Sequence, residues 1–340
     1  MKSNLNINDI AKMAGVSKTT VSFVLNNREG VGEDTRKKVL DVIQRTGYTP
    51  TLNSRRLYYQ KSFTIAVVFE KSDPGLENLF SYGILNALMK RCTHYDYALL
   101  YSEYSCEGDS YQLPQNILNR DVDGLIFLRD IPLKLISQLH SLGIPFVVAD
   151  DHSEHGSLHT VKADYALAAA TAVGYLVEQG HKKIGFLGNM NLPSFYTQVL
   201  SGYQKALKQA GLPMELSWFF DRIDDRVSLQ RDISPMLQAG SLPTAIFCME
   251  DSLAIELMRY LQSQGIRVPE DISVIAIDDI LISSQTFPAL TTVALDKDAL
   301  GRHAVDILMQ LIGGEDATSI TISSGDLIVR ESVKRIEEII

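Results

Sequence analysis

Residues 6–26 read NINDIAKMAGVSKTTVSFVLN, and this stretch decides how the rest of the chain is understood. Asn6 is a good helix N-cap, and Asp9, three residues on, can return a hydrogen bond and favours the positive end of a helix. Ile7, Ile10, Ala11 and Ala14 follow at i, i+3, i+4 and i+7, the apolar face of an amphipathic helix. Gly15 supplies the left-handed residue that ends it. Ser17 then caps a second helix with Val21, Val24 and Leu25 facing inward. A third, from about Asp34, carries Val39, Val42 and Ile43 before Gly47 stops it. Two short helices joined by a Gly-containing turn and closed by a third make a helix-turn-helix. Such a unit enters the major groove by the N-terminal end of its second helix, which here presents Ser17, Lys18, Thr19, Thr20, Ser22 and Phe23. Small hydroxyls suit phosphate contacts, and Lys18 can reach a guanine edge or a phosphate. Lys18-Thr19 is not part of a nucleotide phosphate loop, because no G-x-x-x-x-G-K pattern precedes it.

The charge divides in the same way. The whole chain of 340 residues is acidic, at −9, which by itself argues against nucleic acid. Residues 1–61, however, carry eleven Lys and Arg against five Asp and Glu, a net +6, which leaves −15 on the remainder. A basic head on an acidic body is the footprint of a protein that touches a polyanion through one small part of itself. The length calls for more than one domain. No apolar run reaches the ~18 residues of a membrane helix, and Met1 to Asn8 is no basic-then-apolar leader, so a cytoplasmic protein is expected. Cys92, Cys106 and Cys248 are few and widely spaced, and read as buried reduced thiols.

The run from Asn6 to Asn26, with Val31, Thr35, Arg36, Val39 and Gly47-Tyr48-x-Pro50 downstream, resembles the N-terminal signature of the lac-repressor (LacI/GalR) family of bacterial transcription regulators. The resemblance implies a homodimeric repressor on near-palindromic double-stranded DNA, with affinity set by a small-molecule effector, in many cases a sugar. Asn26 joins the DNA contacts on this basis. Thr51-Leu-Asn-Ser-Arg-Arg-Leu57 resembles the family's hinge helix, placing Leu57 as the wedge pushed into the minor groove and Arg55 and Arg56 against phosphates. Three residues depart from the pattern: Thr51 for Asn, Ser54 for Ala, and Phe23 where Arg is frequent. Phe23 cannot contact guanine in a bidentate way and is left to pack on a thymine methyl or the sugar backbone.

From Thr64 onward apolar runs alternate with amphipathic stretches. Strands are expected at 64–69, 97–101, 124–128, 145–149, 183–188, 244–248 and 273–277. Helices are expected at 76–92, 165–179, 195–210, 252–264 and 298–312. Continuous apolar strands interleaved with helices are the mark of parallel α/β sheets covered on both faces, in two lobes for a segment this long. The family landmarks DGLI (123–126), GHKKIG (180–185) and PALTTV (288–293) imply a periplasmic-binding-protein-like body of two doubly wound lobes joined by three crossovers. The expected organisation is a helix-turn-helix domain at 1–50, a hinge at 51–61 and a body at 62–340. Within the body the N-lobe takes 62–162 and 294–324, and the C-lobe 163–293 and 325–340. The helix after the first body strand is, by resemblance, much of the dimer interface.

Ligands in such sheets bind outside the carboxyl ends of the strands. Asp150 and Asp278 each end an apolar strand, and carboxylates there suit the hydroxyls of a sugar. Capping of the following helix is the competing role, evenly matched for Asp150 and secondary for Asp278. Two effector positions of the family are altered. Val199 stands where an Arg usually grips the effector, and Glu250 where an Asn is usual, which disfavours an anionic ligand. Leu76, Glu77 and Arg129 on neighbouring loops are offered instead, Arg129 to Glu250 or to ligand. The effector is then neutral and polar, cationic, or absent.

His152, His155 and His159 crowd one loop, but on no regular helix, so no metal is expected. No G-x-S-x-G, H-E-x-x-H or G-x-G-x-x-G occurs, and neither catalytic residues nor a cofactor are expected. Trp218, Phe219 and Phe220 read as strand core. Taken together, these features describe a ligand-responsive repressor of sugar or related metabolite genes. The rivals are a regulator answering to a partner protein and, more remotely, a sugar-binding transport protein.

Overall fold

The structure is a computed structural model and describes residues 5–25, 29–48, 56, 59–72, 75–108, 110–153, 156, 158–223, 225–323 and 325–337. Internal contacts divide it into two units, at Met1–Phe63 and Thr64–Ile340.

The first unit holds α1 (Ile7–Ala14), α2 (Lys18–Leu25) and α3 (Glu33–Thr46). The Asn6 side chain accepts from the amides of Asn8 and Asp9, and the Asp9 carboxylate accepts from the Asn6 amide at 2.9 Å, a complete capping box. Gly15 leaves α1 with φ 66° and Gly47 leaves α3 with φ 63°, in the left-handed region where Cβ is costly. Ile10, Val21 and Val39, one from each helix, are wholly buried, and Val24, Val42 and Tyr48 complete the core around them. The apolar spacing read in the sequence is thus the core itself.

The second unit opens with β1 (Thr64–Glu70), α4 (Leu79–His94), β2 (Ala98–Glu107), β3 (Ser110–Gln112), α5 (Gln115–Leu118), β4 (Gly124–Leu128), α6 (Leu133–Leu142), β5 (Phe146–Ala149) and β6 (Thr160–Ala163). It continues through α7 (Tyr165–Glu178), β7 (Ile184–Leu187), α8 (Pro193–Gln209), β8 (Phe219–Phe220), α9 (Arg226–Ala239), β9 (Ala245–Cys248), α10 (Asp251–Ser263) and β10 (Ser273–Asp278). It closes with β11 (Thr291–Ala294), α11 (Lys297–Gly313), β12 (Ile320–Ile322) and β13 (Leu327–Ile328).

Two sheets result, ordered β12-β6-β5-β4-β1-β2-β3 and β13-β11-β10-β9-β7-β8. All pairings are parallel except the hairpin β2–β3 and the pair β11–β13. Strands β1, β4, β5, β9 and β10 are buried almost throughout, which is why they read as unbroken apolar runs. The chain leaves the first sheet after β6, returns to it for β12, and ends in the second with β13.

Several elements escaped the sequence pattern. Helix α9 carries Pro235 inside it and α6 is short, so neither shows the uninterrupted periodicity of α7 or α11. The first helix of the body begins at Leu79, not at residue 76, because Gly75–Glu77 makes a separate 3₁₀ turn. Asn78 then caps α4 by accepting from the Ser81 amide at 3.0 Å. Trp218 ends a 3₁₀ turn and Phe219–Phe220 is a half-buried edge strand, so of this aromatic run Trp218 and Phe220 pack against the core from its rim. Phe219 instead stacks on the buried Phe186, centroids 5.0 Å apart. Cys92 and Cys248 are buried as expected, but Cys106 is exposed, since the β2–β3 hairpin forms the edge of its sheet. Among the described residues no helix is long and apolar enough to cross a membrane.

Candidate functional site

The N-terminal turn of α2 presents two side chains outright. Lys18 and Thr19 are exposed. Ser17 has a local duty as well, accepting from the Thr20 amide at 3.0 Å and sharing a hydrogen bond with the Thr20 hydroxyl at 2.9 Å. Ser22 and Phe23 are half-buried. The Phe23 ring lies beside Gly30, where a side chain would stand 3.9 Å from it, so part of its surface is committed to the fold. Asn26, Arg55 and Leu57 lie outside the described residues.

In the second unit a cavity of about 470 Å³ opens between the carboxyl ends of the two sheets. The first sheet supplies Glu70 at the end of β1, Arg129 and Asp130 after β4, and Asp150, His152 and Ser153 after β5. The second supplies residues 191–195 at the start of α8, Glu250 after β9 and Asp278 at the end of β10. Tyr165 and Phe80 add aromatic faces from the first turns of α7 and α4.

Three strand-end residues here adopt positive φ: Arg129 at 66°, Asp150 at 60° and Asp278 at 127°. This is costly for residues with a Cβ and concentrates at functional positions. In two of them the backbone completes its ladder first. The Arg129 amide donates to Ala149 O at 2.9 Å and the Asp150 amide to Val161 O at 2.8 Å. The left-handed turn then swings each side chain out of the sheet toward the cavity.

Asp150 accepts from the Tyr165 hydroxyl at 2.5 Å. His152 stands between two carboxylates, with Nδ1 3.5 Å from Asp130 Oδ1 and Nε2 3.5 Å from Asp150 Oδ1, and its amide donates to Asp130 Oδ1 at 2.6 Å. Its ring contacts those of Tyr165 and Phe195, each 5.1 Å away between centroids. Burial alone would lower the imidazole pKa, but Asp150 and Asp130 outweigh it and raise it to about 9, so His152 is a cation at neutral pH. Asp130 is correspondingly held low: its hydrogen bonds with His152 overcome the burial that pushes the other way.

The remaining acids behave oppositely. Burial, reinforced by the neighbouring Asp251 and Glu250 charges, pushes Asp278 well above the usual carboxylate range, and burial raises Glu250. Behind them, Asp251 is wholly buried and accepts from the Ile280 amide at 3.0 Å, from Thr292 Oγ1 at 2.6 Å and from Ser283 Oγ. Arg330 donates to Asp279 at 2.6 Å. These bonds fix the loop that carries Asp278.

The cavity therefore brings together Asp150, Asp278, Glu250 and Arg129, all anticipated from sequence. Val199 is not with them. It sits on α8, fully buried, and does not line the cavity, so the expectation of an effector contact there is corrected. The side chain of Leu76 lies outside the described residues. His152, Tyr165, Phe195 and Asp130 were not anticipated as site residues. His152 was visible only as one of three crowded histidines, and nothing in that spacing announces two carboxylates and two rings from other elements. Among the described residues no group of three or more His, Cys, Asp or Glu could hold a metal ion.

The fold and cavity define a class: a helix-turn-helix unit followed by a two-sheet body with a polar cavity at the strand ends. Residues 6–51 match the model of bacterial regulatory proteins of the lacI family, and residues 173–333 that of the periplasmic-binding-protein-like domain. The catabolite control protein A of Priestia megaterium is 31% identical over 319 residues, covering 93% of this chain and 95% of that protein. The HTH-type transcriptional repressor PurR of Photobacterium profundum is 30% identical, covering 96% and 98%. Among solved structures, the lac repressor dimer bound to operator and the anti-inducer ONPF superposes with TM-score 0.77 at 25% identity, over 97% of this chain and 99% of that one. The chain belongs to the lacI family of bacterial regulatory proteins.

Proposed function

We propose that this protein is a sequence-specific DNA-binding repressor, acting in the cytoplasm as a homodimer, whose operator affinity is set by a small polar molecule bound in the cavity. One observation carries the reading. A lacI-family chain with Lys18 and Thr19 exposed on the first turn of α2 also holds a cavity into which three strand-end residues turn at positive φ. One relative is named a transcriptional repressor and another a catabolite control protein, and the solved neighbour is a repressor bound to operator and an anti-inducer, which supports the same division of labour.

In this scheme each head contacts one half-site through Ser17, Lys18, Thr19, Thr20, Ser22 and Asn26, while Arg55 and Leu57 act at the centre of the operator. The lobes 62–162 with 294–324 and 163–293 with 325–340 are the units whose closure ligand biases. Coupling between the sites is reciprocal: ligand alters operator affinity by the factor by which operator alters ligand affinity.

The test is fluorescence anisotropy of the full chain on DNA selected from a random library, over a salt series. Sequence-selective binding whose affinity falls steeply with salt is expected. Binding that is absent or indifferent to sequence would overturn the proposal. Leu57→Ala weakens operator binding and spares ligand binding if the wedge role holds.

A further inference from the structure

The charges around the cavity do not balance evenly. On the cationic side each group already has acceptors or neighbouring charges of its own. His152 is held between Asp130 and Asp150. Arg129 donates to Ser81 Oγ at 3.2 Å. Lys297, packed behind the cavity with its ammonium 5.4 Å from the centre of the Phe80 ring, donates to three backbone carbonyls, those of Asp278, Asp279 and Leu295. Three acceptors exhaust the three donors of an ammonium.

On the anionic side the two acids of the second sheet, Asp278 and Glu250, form no ion pair among the described residues. The Asp278 side chain lines the cavity, only 6% exposed, and accepts no hydrogen bond among the described residues. Glu250 lines it as well, at the N-cap position of α10, but its carboxylate accepts no capping bond from the helix amides. Its hydrogen-bond partner is the Ser252 side chain, a neutral donor, and the Arg129 charge is felt only through space. Lys297 likewise acts on Asp278 only through space, with no ion pair to either carboxylate among the described residues, and a hydroxyl donor returns a hydrogen bond but not a charge.

We infer that the cavity takes a small polar ligand bearing a protonated amine, received by the Asp278 and Glu250 carboxylates against the aromatic faces that line the same cavity. An ammonium supplies charge and donors at once, and Phe80, Tyr165 and Phe195 offer π faces that attract a cation. An anionic ligand would meet both carboxylates with no uncommitted ammonium among the described residues to answer it. Burial, which the nearby cations do not offset, raises both acids, and an ammonium bound beside them would favour their ionised forms. This inference rests on the cavity being the effector site.

Two series of similar shape and different charge test it by calorimetry on the full chain at neutral pH. One is glucosamine, N-acetylglucosamine, glucose and a phosphorylated glucose. The other is putrescine, its diol analogue and succinate. The amine of at least one series is expected to bind at least about tenfold tighter than its neutral counterpart, the anions not at all. Glu250→Gln and, separately, Asp278→Asn should each reduce the preference toward parity, and two single variants guard against one that fails to fold. Equal binding of the neutral members, binding of an anion, or binding of neither amine overturns the inference. Salt-dependent, sequence-selective operator binding by the same preparation shows that the regulator reading survives such a failure.

Discussion

His152 gives the cavity a measurable pH signature. Its folded-state pKa is raised from the ordinary 6.5 to about 9, because Asp130 and Asp150 stabilise the imidazolium more than burial penalises it. A raised basic group stabilises the fold fully below its unfolded pKa, and that contribution disappears as pH rises through the folded value. The window therefore runs from about pH 6.5 to about pH 9. At ~1.36 kcal/mol per pH unit the interval corresponds to about 3 kcal/mol. The ring is 7% exposed, so solvent screening takes little from that figure. His152→Gln keeps a planar polar side chain in the same place and removes the titration. Thermal or urea unfolding of the two proteins, measured in parallel from pH 6 to pH 10, should show the advantage of the parent falling by about 3 kcal/mol across the window. Taking the difference removes the common titration of tyrosines and lysines. Curves that stay parallel, or a parent that gains on the variant as pH rises, would refute the placement of a charged imidazole between two carboxylates.

Other consequences can be checked at the bench. Asn6→Ala removes the oxygen that accepts from two amides at the start of α1 and should cost the head about 1 kcal/mol, read by unfolding of the helical signal. Gly202→Ala places a Cβ 2.1 Å from Ala166 O, where α8 crosses α7, and should destabilise the body by about 1–3 kcal/mol or prevent soluble expression. Lys18→Ala should weaken operator binding and lower the slope of log affinity against log salt by about 1 if Lys18 meets a phosphate. An unchanged slope with relaxed base preference would assign it to a guanine edge instead.

How much of this was legible beforehand depends on the range of the interactions involved. The head was readable residue by residue, since caps, turn glycines and one-faced apolar spacing act within a few positions along the chain. Ile10, Val21 and Val39 meet at its centre as their spacing required. In the body, buried parallel strands announced themselves as apolar runs, and the aspartates ending two of them, Asp150 and Asp278, were legible as cavity residues for the same reason. Val199 misled because a position in a familiar motif was carried over without its side chain. An arginine can reach past a helix, whereas a valine there packs inward.

The sequence by itself determined a basic three-helix head, an acidic α/β body and the sides of the sheets on which polar residues would gather. Those are consequences of local periodicity and of charge counted along the chain. Tertiary structure alone decided that His152 would be charged, that Asp278 and Glu250 would form no ion pair among the described residues, and that Lys297 would be spent on backbone carbonyls. Protonation and pairing depend on burial and on neighbours brought from distant strands. Asp130, Asp150, Tyr165 and Phe195 reach His152 only when β4, β5, α7 and α8 have come together.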